Sequence, residues 1–423
     1  MTVRAWQRAL AQPSFATVVG NAAYAASLLG VLIVLARLTT AAEVGRYALA
    51  LAITSPIQIG LGMRLRTARV MMDARTFPLR TYFNVGMLTA ATAAMLSTAI
   101  AYLVIPDQRT RIVVLVVALS KGVESLIDIS YGELQRHGQM AAIAKSQLLR
   151  GVLTLCAATG GVLLGQGVVG AAVAINLAWV AQFIALDVRR AAARTRLVTP
   201  GAMGHTRWGL ASQLAKRSWP LGLAAALTSF TDAAPRYLVA SLLGTGKLGV
   251  FAVLAYPTMV MAVFANSLGQ SYLVQLRDAF RDEDRRRLTR LSAKMSALVG
   301  ALGLAAVLVL VFLGSAGMSL ILGSAYGSYF DLGLILLGVA IVGGLATVQY
   351  YVLTSTGRFS RHPLVMTLVA LTGVPATWLT TQAWGLTGAA WGMMLTLALQ
   401  CSLMSLMVHA QLRRRRQPRW ESS

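Results

Sequence analysis

Between residues 17 and 409 the chain is a succession of apolar runs separated by connections rich in Arg and Lys. Each run is near the ~20 residues a helix needs to cross the hydrocarbon core of a bilayer. That pattern leaves few folds open. A soluble domain cannot bury so much apolar surface, since 57% of the residues are hydrophobic and only 12% are charged. The mean hydropathy of +0.65 points the same way. Strands of a membrane barrel would show short segments of alternating polarity, which are absent. The expected fold is an all-α integral membrane protein.

About twelve transmembrane helices can be drawn, at 17–36, 44–62, 83–105, 112–131, 148–165, 167–187, 219–243, 248–270, 295–314, 331–354, 364–383 and 386–409. The first run is too long for the apolar region of a secretion signal and reads as an uncleaved span. The formal net charge of +24 would suggest nucleic acid in a soluble protein. Here the basic residues fall between the apolar runs rather than on one face, so no nucleic-acid partner is expected. One set of connections holds Arg4, Arg8, Arg64, Arg66, Arg69, Arg75, Arg80, Arg136, Lys145 and Arg150. The same side takes the stretches 189–217 and 277–294, Arg358, Arg361 and the Arg413–Arg416 tail. The opposite connections hold only Arg37, Arg46, Arg109, Arg111 and Lys247. The asymmetry puts both termini in the cytoplasm.

The chain also repeats itself. Glu43-Val44-Gly45-Arg46-Tyr47-Ala48 opens the second span, and Lys247-Leu248-Gly249-Val250-Phe251-Ala252 opens the eighth. Gly167-Val168-Val169-Gly170-Ala171-Ala172 opens the sixth and is echoed by Gly385-Leu386-Thr387-Gly388-Ala389-Ala390 at the twelfth. Six spans separate the members of each pair, so the repeat is parallel. The expected organisation is a six-helix bundle at 1–188, a basic cytoplasmic linker at 189–218, a second six-helix bundle at 219–409 and a basic tail at 410–423. The extra length of the second half falls around Gly314–Phe330.

These words carry a resemblance over nearly the whole chain. The turn from Leu38 to Ala50, Ser55-Pro56-Ile57, the stretch from Asp232 to Gly249 and the small-residue openings of spans six and twelve are similar to one family. It is the polysaccharide transporters, or Wzx-like oligosaccharide flippases, of the multidrug/oligosaccharidyl-lipid/polysaccharide flippase superfamily. The resemblance implies two bundles around a central cavity. It also implies a substrate of lipid-linked oligosaccharide, usually on a polyprenyl diphosphate carrier, moved from the cytoplasmic to the outer leaflet.

Ionisable residues inside spans are costly and mark cavities or partners. Span four carries Lys121, Glu124 and Asp128, which fall within about 60° of one another on one helix face. Span seven carries Asp232 and Arg236 one turn apart, with Thr228 a turn earlier and Pro235 between the pair. In the cavity reading Lys121, Arg236 and Thr228 bind an anionic substrate. Glu124, Asp128 and Asp232 then balance those charges or carry a coupling proton or Na+. The alternative is that Lys121–Glu124 and Asp232–Arg236 only neutralise each other and fix packing. Pro56 and Pro257 are candidate hinges for rocking.

The two cysteines and four histidines are scattered and show no metal spacing, so no cofactor or metal site is expected. No nucleophile and base occur together, which argues against an enzyme. The reading is a flippase of the bacterial cytoplasmic membrane working by alternating access, with membrane lipids as partners. Its rival is a cation-coupled drug antiporter of the same superfamily.

Overall fold

The computed structural model describes residues 13–71, 77–195, 207–355 and 362–414, and every regular element among them is helical. Arg4, Arg8, Arg75, Arg358, Arg361, Arg415, Arg416 and the middle of the expected linker lie outside the described residues. In chain order the helices are α1 (Pro13–Leu38), α2 (Ala41–Leu61), the short α3 (Leu65–Met71), α4 (Leu79–Val104) and α5 (Gln108–Arg136). They continue with α6 (Met140–Gly161), α7 (Gly167–Gln182), α8 (Val188–Thr195), α9 (Arg207–Leu254) and α10 (Tyr256–Arg281). The last three are α11 (Arg285–Leu322), α12 (Phe330–Ser355) and α13 (His362–Arg414).

Eight stretches among the described residues are long and apolar enough to cross a membrane. Two of them, Ser229–Leu273 and Val365–Val408, each hold two expected spans. A glycine separates the spans within α9 (Gly244, φ 83°) and within α13 (Gly385, φ 61°), a backbone region that only glycine enters cheaply. α1 contributes a shorter apolar run, Ala23–Leu38, and α5 carries too many charges to stand out by hydropathy alone. Each of the expected spans thus has its helix, and the protein is an all-α, multi-pass membrane protein.

The starts of these helices are written locally. Thr40 caps α2 by accepting from the Glu43 amide, Asp107 caps α5 by accepting from the Thr110 amide at 3.2 Å, and Asp284 caps α11 through the Arg287 amide at 2.9 Å. α11 breaks at Gly314 (φ 62°), and the 3-10 turn Ser324–Tyr329 follows it.

The helices group into two compact units that divide between Val253 and Leu254. In the second unit α10, α11, α12 and α13 enclose a core of Met261, Leu276, Met295, Val299, Val348 and Met404. In the first, α1 packs on α6, and α5 is flanked by α2, α4 and α7. α9 lies along α2, and here the repeat acquires a physical meaning. A Cβ on Gly45 would run into the carbonyl of Thr245, and one on Gly249 into the carbonyl of Ala41. The two glycines that the repeat aligns are therefore packed against each other's helix ends, backbone on backbone. At the other end of the same seam a Cβ on Gly222 would meet the carbonyl of Gly60.

Pro56 sits inside α2 and is buried. Lacking an N–H, it leaves the carbonyl four residues earlier, Ala52, without its helical donor. The Tyr237 hydroxyl from α9 donates to that carbonyl. Pro257 sits in the first turn of α10, where its missing N–H costs nothing, just past the boundary between the two units.

Two outcomes follow for the purified protein. Gly45→Leu or Gly249→Leu is expected to destabilise it by about 1–3 kcal/mol through backbone overlap, read as a lower Tm in detergent. Unchanged melting would contradict the seam. Tyr237→Phe is expected to cost about 1 kcal/mol, and much less beside Pro56→Ala, where the Ala52 carbonyl regains a donor. Equal losses in both backgrounds would show that the hydroxyl does not serve that carbonyl.

Candidate functional site

The charges of the first unit converge on α5. Lys121 places Nζ 2.8 Å from Glu124 Oε2, an i,i+3 pair on the helix surface. The other oxygen of Glu124 accepts from the Tyr24 hydroxyl of α1 at 2.5 Å. Arg150 of α6 approaches the same oxygen, Nη2 to Oε1, at 3.9 Å. One helical turn further, Asp128 pairs with Arg66 of α3 at 3.5 Å, and Arg66 also donates to Gln135 at 3.2 Å. The expected α5 trio thus does lie together. Its partners come from three other helices.

Arg150 is the residue that sequence reasoning misplaced. In the sequence it falls among the basic connections, yet its side chain is 2% exposed inside the bundle. Its guanidinium carbon lies 4.1 Å from the Tyr24 ring centroid, 5.3 Å from Trp179 and 5.8 Å from Tyr131. Three aromatic faces accept the cation where water is excluded. Below it the Tyr131 hydroxyl donates to Ser146 at 3.0 Å, and Ser146 donates to the buried Asp187 at 2.5 Å. Trp179 donates to Thr154 at 2.8 Å, which fixes its ring. The spacing of Ser146, Arg150 and Thr154, one turn apart on α6, is the signal that could have shown this polar face.

Arg69 needs the same correction. In the sequence it falls among the basic connections, but its side chain is 2% exposed against Glu133 at 1%, with Nε 2.6 Å from Oε2. It also donates to the Phe77 carbonyl at 2.7 Å. Leu65 and Ala68 beside it are buried with Phe77, Tyr82 and Ile129, so α3 is docked into the bundle.

Arg46, at the start of α2, pairs with Glu43 and, at 3.0 Å, with Asp107. Glu43 in turn accepts from the Val168 amide at the start of α7 at 3.3 Å. The cluster ties three helix starts together, and Arg46 acts as a strut among them. The Thr110 hydroxyl, which donates to Asp107, and then Arg46 hold the Asp107 carboxyl below its ordinary range. A carboxyl depressed on folding contributes stability above its ordinary range, and that contribution is lost as pH falls through the lowered value.

Asp232 and Arg236 of α9 differ from the α5 set. Among the described residues no ion pair joins them, Asp232 is exposed, and Arg236 keeps partial exposure. The Thr228 side chain lies outside the described residues. Among the described residues, no cluster of His, Cys, Asp and Glu could hold a metal ion.

Removing one partner of a sealed ion pair strands the other charge. Arg69→Met is therefore expected to cost about 3–5 kcal/mol, with much of the loss recovered in Arg69→Met/Glu133→Leu. The comparison is read as folded yield and Tm. A double variant as unstable as the single one would show that the pair is not the source of the loss.

Comparison with known proteins bears on this arrangement. Residues 34–331 match the family described as polysaccharide biosynthesis protein. The chain is 26% identical over 313 residues to the capsular polysaccharide biosynthesis protein CapF of Staphylococcus aureus, covering 70% of this chain and 73% of that one. In fold it is similar to the MATE transporter VcmN of Vibrio cholerae, with a TM-score of 0.64 at 14% identity over 96% of this chain and 97% of that one. It is also similar to a MOP superfamily transporter of Pyrococcus furiosus, with a TM-score of 0.61 at 13% identity over 97% and 96% of the two chains. The chain belongs to the polysaccharide biosynthesis protein family, and its fold is similar to that of MATE and other MOP superfamily transporters.

Proposed function

We propose that the protein is a flippase for polyprenyl diphosphate-linked oligosaccharide or polysaccharide precursors in a bacterial cytoplasmic membrane, with both termini cytoplasmic. Lys121 and Arg236, with Thr228, line a hydrated chamber and bind the diphosphate or acidic sugars. Glu124, Asp128 and Asp232 balance charge or carry a coupling proton or Na+. The repeat-related bundles, 1–188 and 219–409, exchange access between the two leaflets, with Pro56 and Pro257 as hinge candidates. The activity is transport, not covalent chemistry.

One observation carries this reading. Lys121 (22% exposed) and Glu124 (17%) sit mid-span on a helix expected to cross the membrane and are not sealed by the surrounding protein. Charges in that position need water or a partner, because hydrocarbon supplies neither. A guanidinium such as Arg236 also suits the paired oxygens of a phosphate. Family membership and the likeness to CapF favour a saccharide substrate. The second reading, a cation-coupled drug antiporter, draws on the MATE transporters that share the fold. It predicts an essential Asp232 with Lys121 and Arg236 dispensable.

The test is accumulation of carrier-linked saccharide on the inner leaflet in a deletion strain, complemented with each variant at matched membrane abundance. Lys121→Ala and Arg236→Ala are each expected to fail to clear the intermediate, losing about tenfold or more in rate. Full clearance by both would dispose of the anion chamber. Drug efflux that depends on Asp232 alone would favour the antiporter.

A further inference from the structure

The three groups around Glu124 are not equivalent. Lys121 occupies Oε2 at 2.8 Å and is 22% exposed. Tyr24 donates to Oε1 at 2.5 Å. Arg150 stands at 3.9 Å from that oxygen, beyond hydrogen-bond reach, and is 2% exposed. Its Nε and Nη1 have no hydrogen-bond partner among the described residues, although both are buried. A guanidinium carries five donors, and a buried cation normally spends them. Arg150 is thus held by three rings next to a carboxylate that it underuses.

We infer that Arg150 is the reserve counter-charge of Glu124, which makes Lys121 an exchangeable cation that can leave its carboxylate for an anionic ligand. This rests on the proposed anion-binding role of Lys121. The reasoning is electrostatic. A buried carboxylate that loses its only cation costs several kcal/mol, which would lock Lys121 to Glu124 and close it to any ligand. With Arg150 in place, Glu124 keeps a cation on its sealed side and a phenol on Oε1 when Lys121 turns away. The charges fit this use. Lys121, Arg150 and Arg66 face Glu124 and Asp128, so Glu124 keeps a cation within 4 Å when Lys121 leaves. The ligand class is an anionic amphiphile such as an isoprenyl diphosphate. Arg150 touches none of it and acts as a positioning residue.

The test is equilibrium binding of radiolabelled farnesyl diphosphate to the purified full-length protein in lipid nanodiscs. Lys121→Met and Arg150→Met are each expected to weaken binding about tenfold, whereas Arg150→Lys stays close to the parent. The decisive arm is rescue. Arg150→Met/Glu124→Gln removes the carboxylate that traps Lys121 and is expected to restore binding to within about threefold of the parent. Arg150→Met/Asp128→Asn restores the same net charge without freeing Lys121 and is expected to remain weak. Rescue by Asp128→Asn to the same extent, no rescue by Glu124→Gln, or an unaffected Arg150→Met would each overturn the inference alone. Binding that is identical in the parent and Lys121→Met would overturn the anion-site reading, and this inference with it. The Arg150→Lys and double variants keep the test decisive if Arg150→Met fails to fold.

Discussion

A charge on a membrane-crossing helix must find water, a counter-charge or an aromatic face, and that requirement shapes the first unit of this protein. α5 carries Lys121, Glu124, Asp128 and Glu133, and four neighbouring helices are placed so that each is answered. α1 supplies Tyr24, α3 supplies Arg66 and Arg69, α6 supplies Arg150, and α7 supplies the ring of Trp179. Apolar packing closes the second unit around methionines and valines. In the first unit, polar complementarity adds a specification that apolar contacts among similar helices would leave loose.

Much of this was legible in advance. Hydrophobic run length gives the spans because a bilayer fixes the length of a helix that crosses it. Glycines in turn words give the breaks at Gly244 and Gly385, since both adopt φ values that other residues avoid. The repeated Gly45 and Gly249 words anticipated a relation between two helix starts, although nothing in a one-dimensional pattern showed that the two would touch. The α5 trio was legible because all three residues share one helix, where 100° per residue is enough to place them together.

Arg150 and Arg69 were not legible, for a definite reason. Counting Lys and Arg by connection treats a basic residue near a span end as a solvated charge. Whether it instead turns inward depends on acids and rings on other helices, Glu124 and Tyr24 for Arg150 and Glu133 and Tyr82 for Arg69. Those are tertiary facts. Pro56 makes the same point. The local rule says that a helical proline frees a carbonyl, but the donor that answers it, Tyr237, is 185 residues away.

Transport through a charged chamber requires that positions 121 and 236 meet water inside the membrane. The direct measurement is thiol modification in native membranes, with Cys156 and Cys401 replaced by alanine and cysteine placed at 121 or 236 in turn. Labelling of both positions by a charged, hydrophilic methanethiosulfonate, at rates approaching those of a loop cysteine, is the predicted result. Cysteines at 121 and 236 that stay inert to the reagent, while a control at a lipid-facing position such as Leu308 behaves the same way, would contradict it.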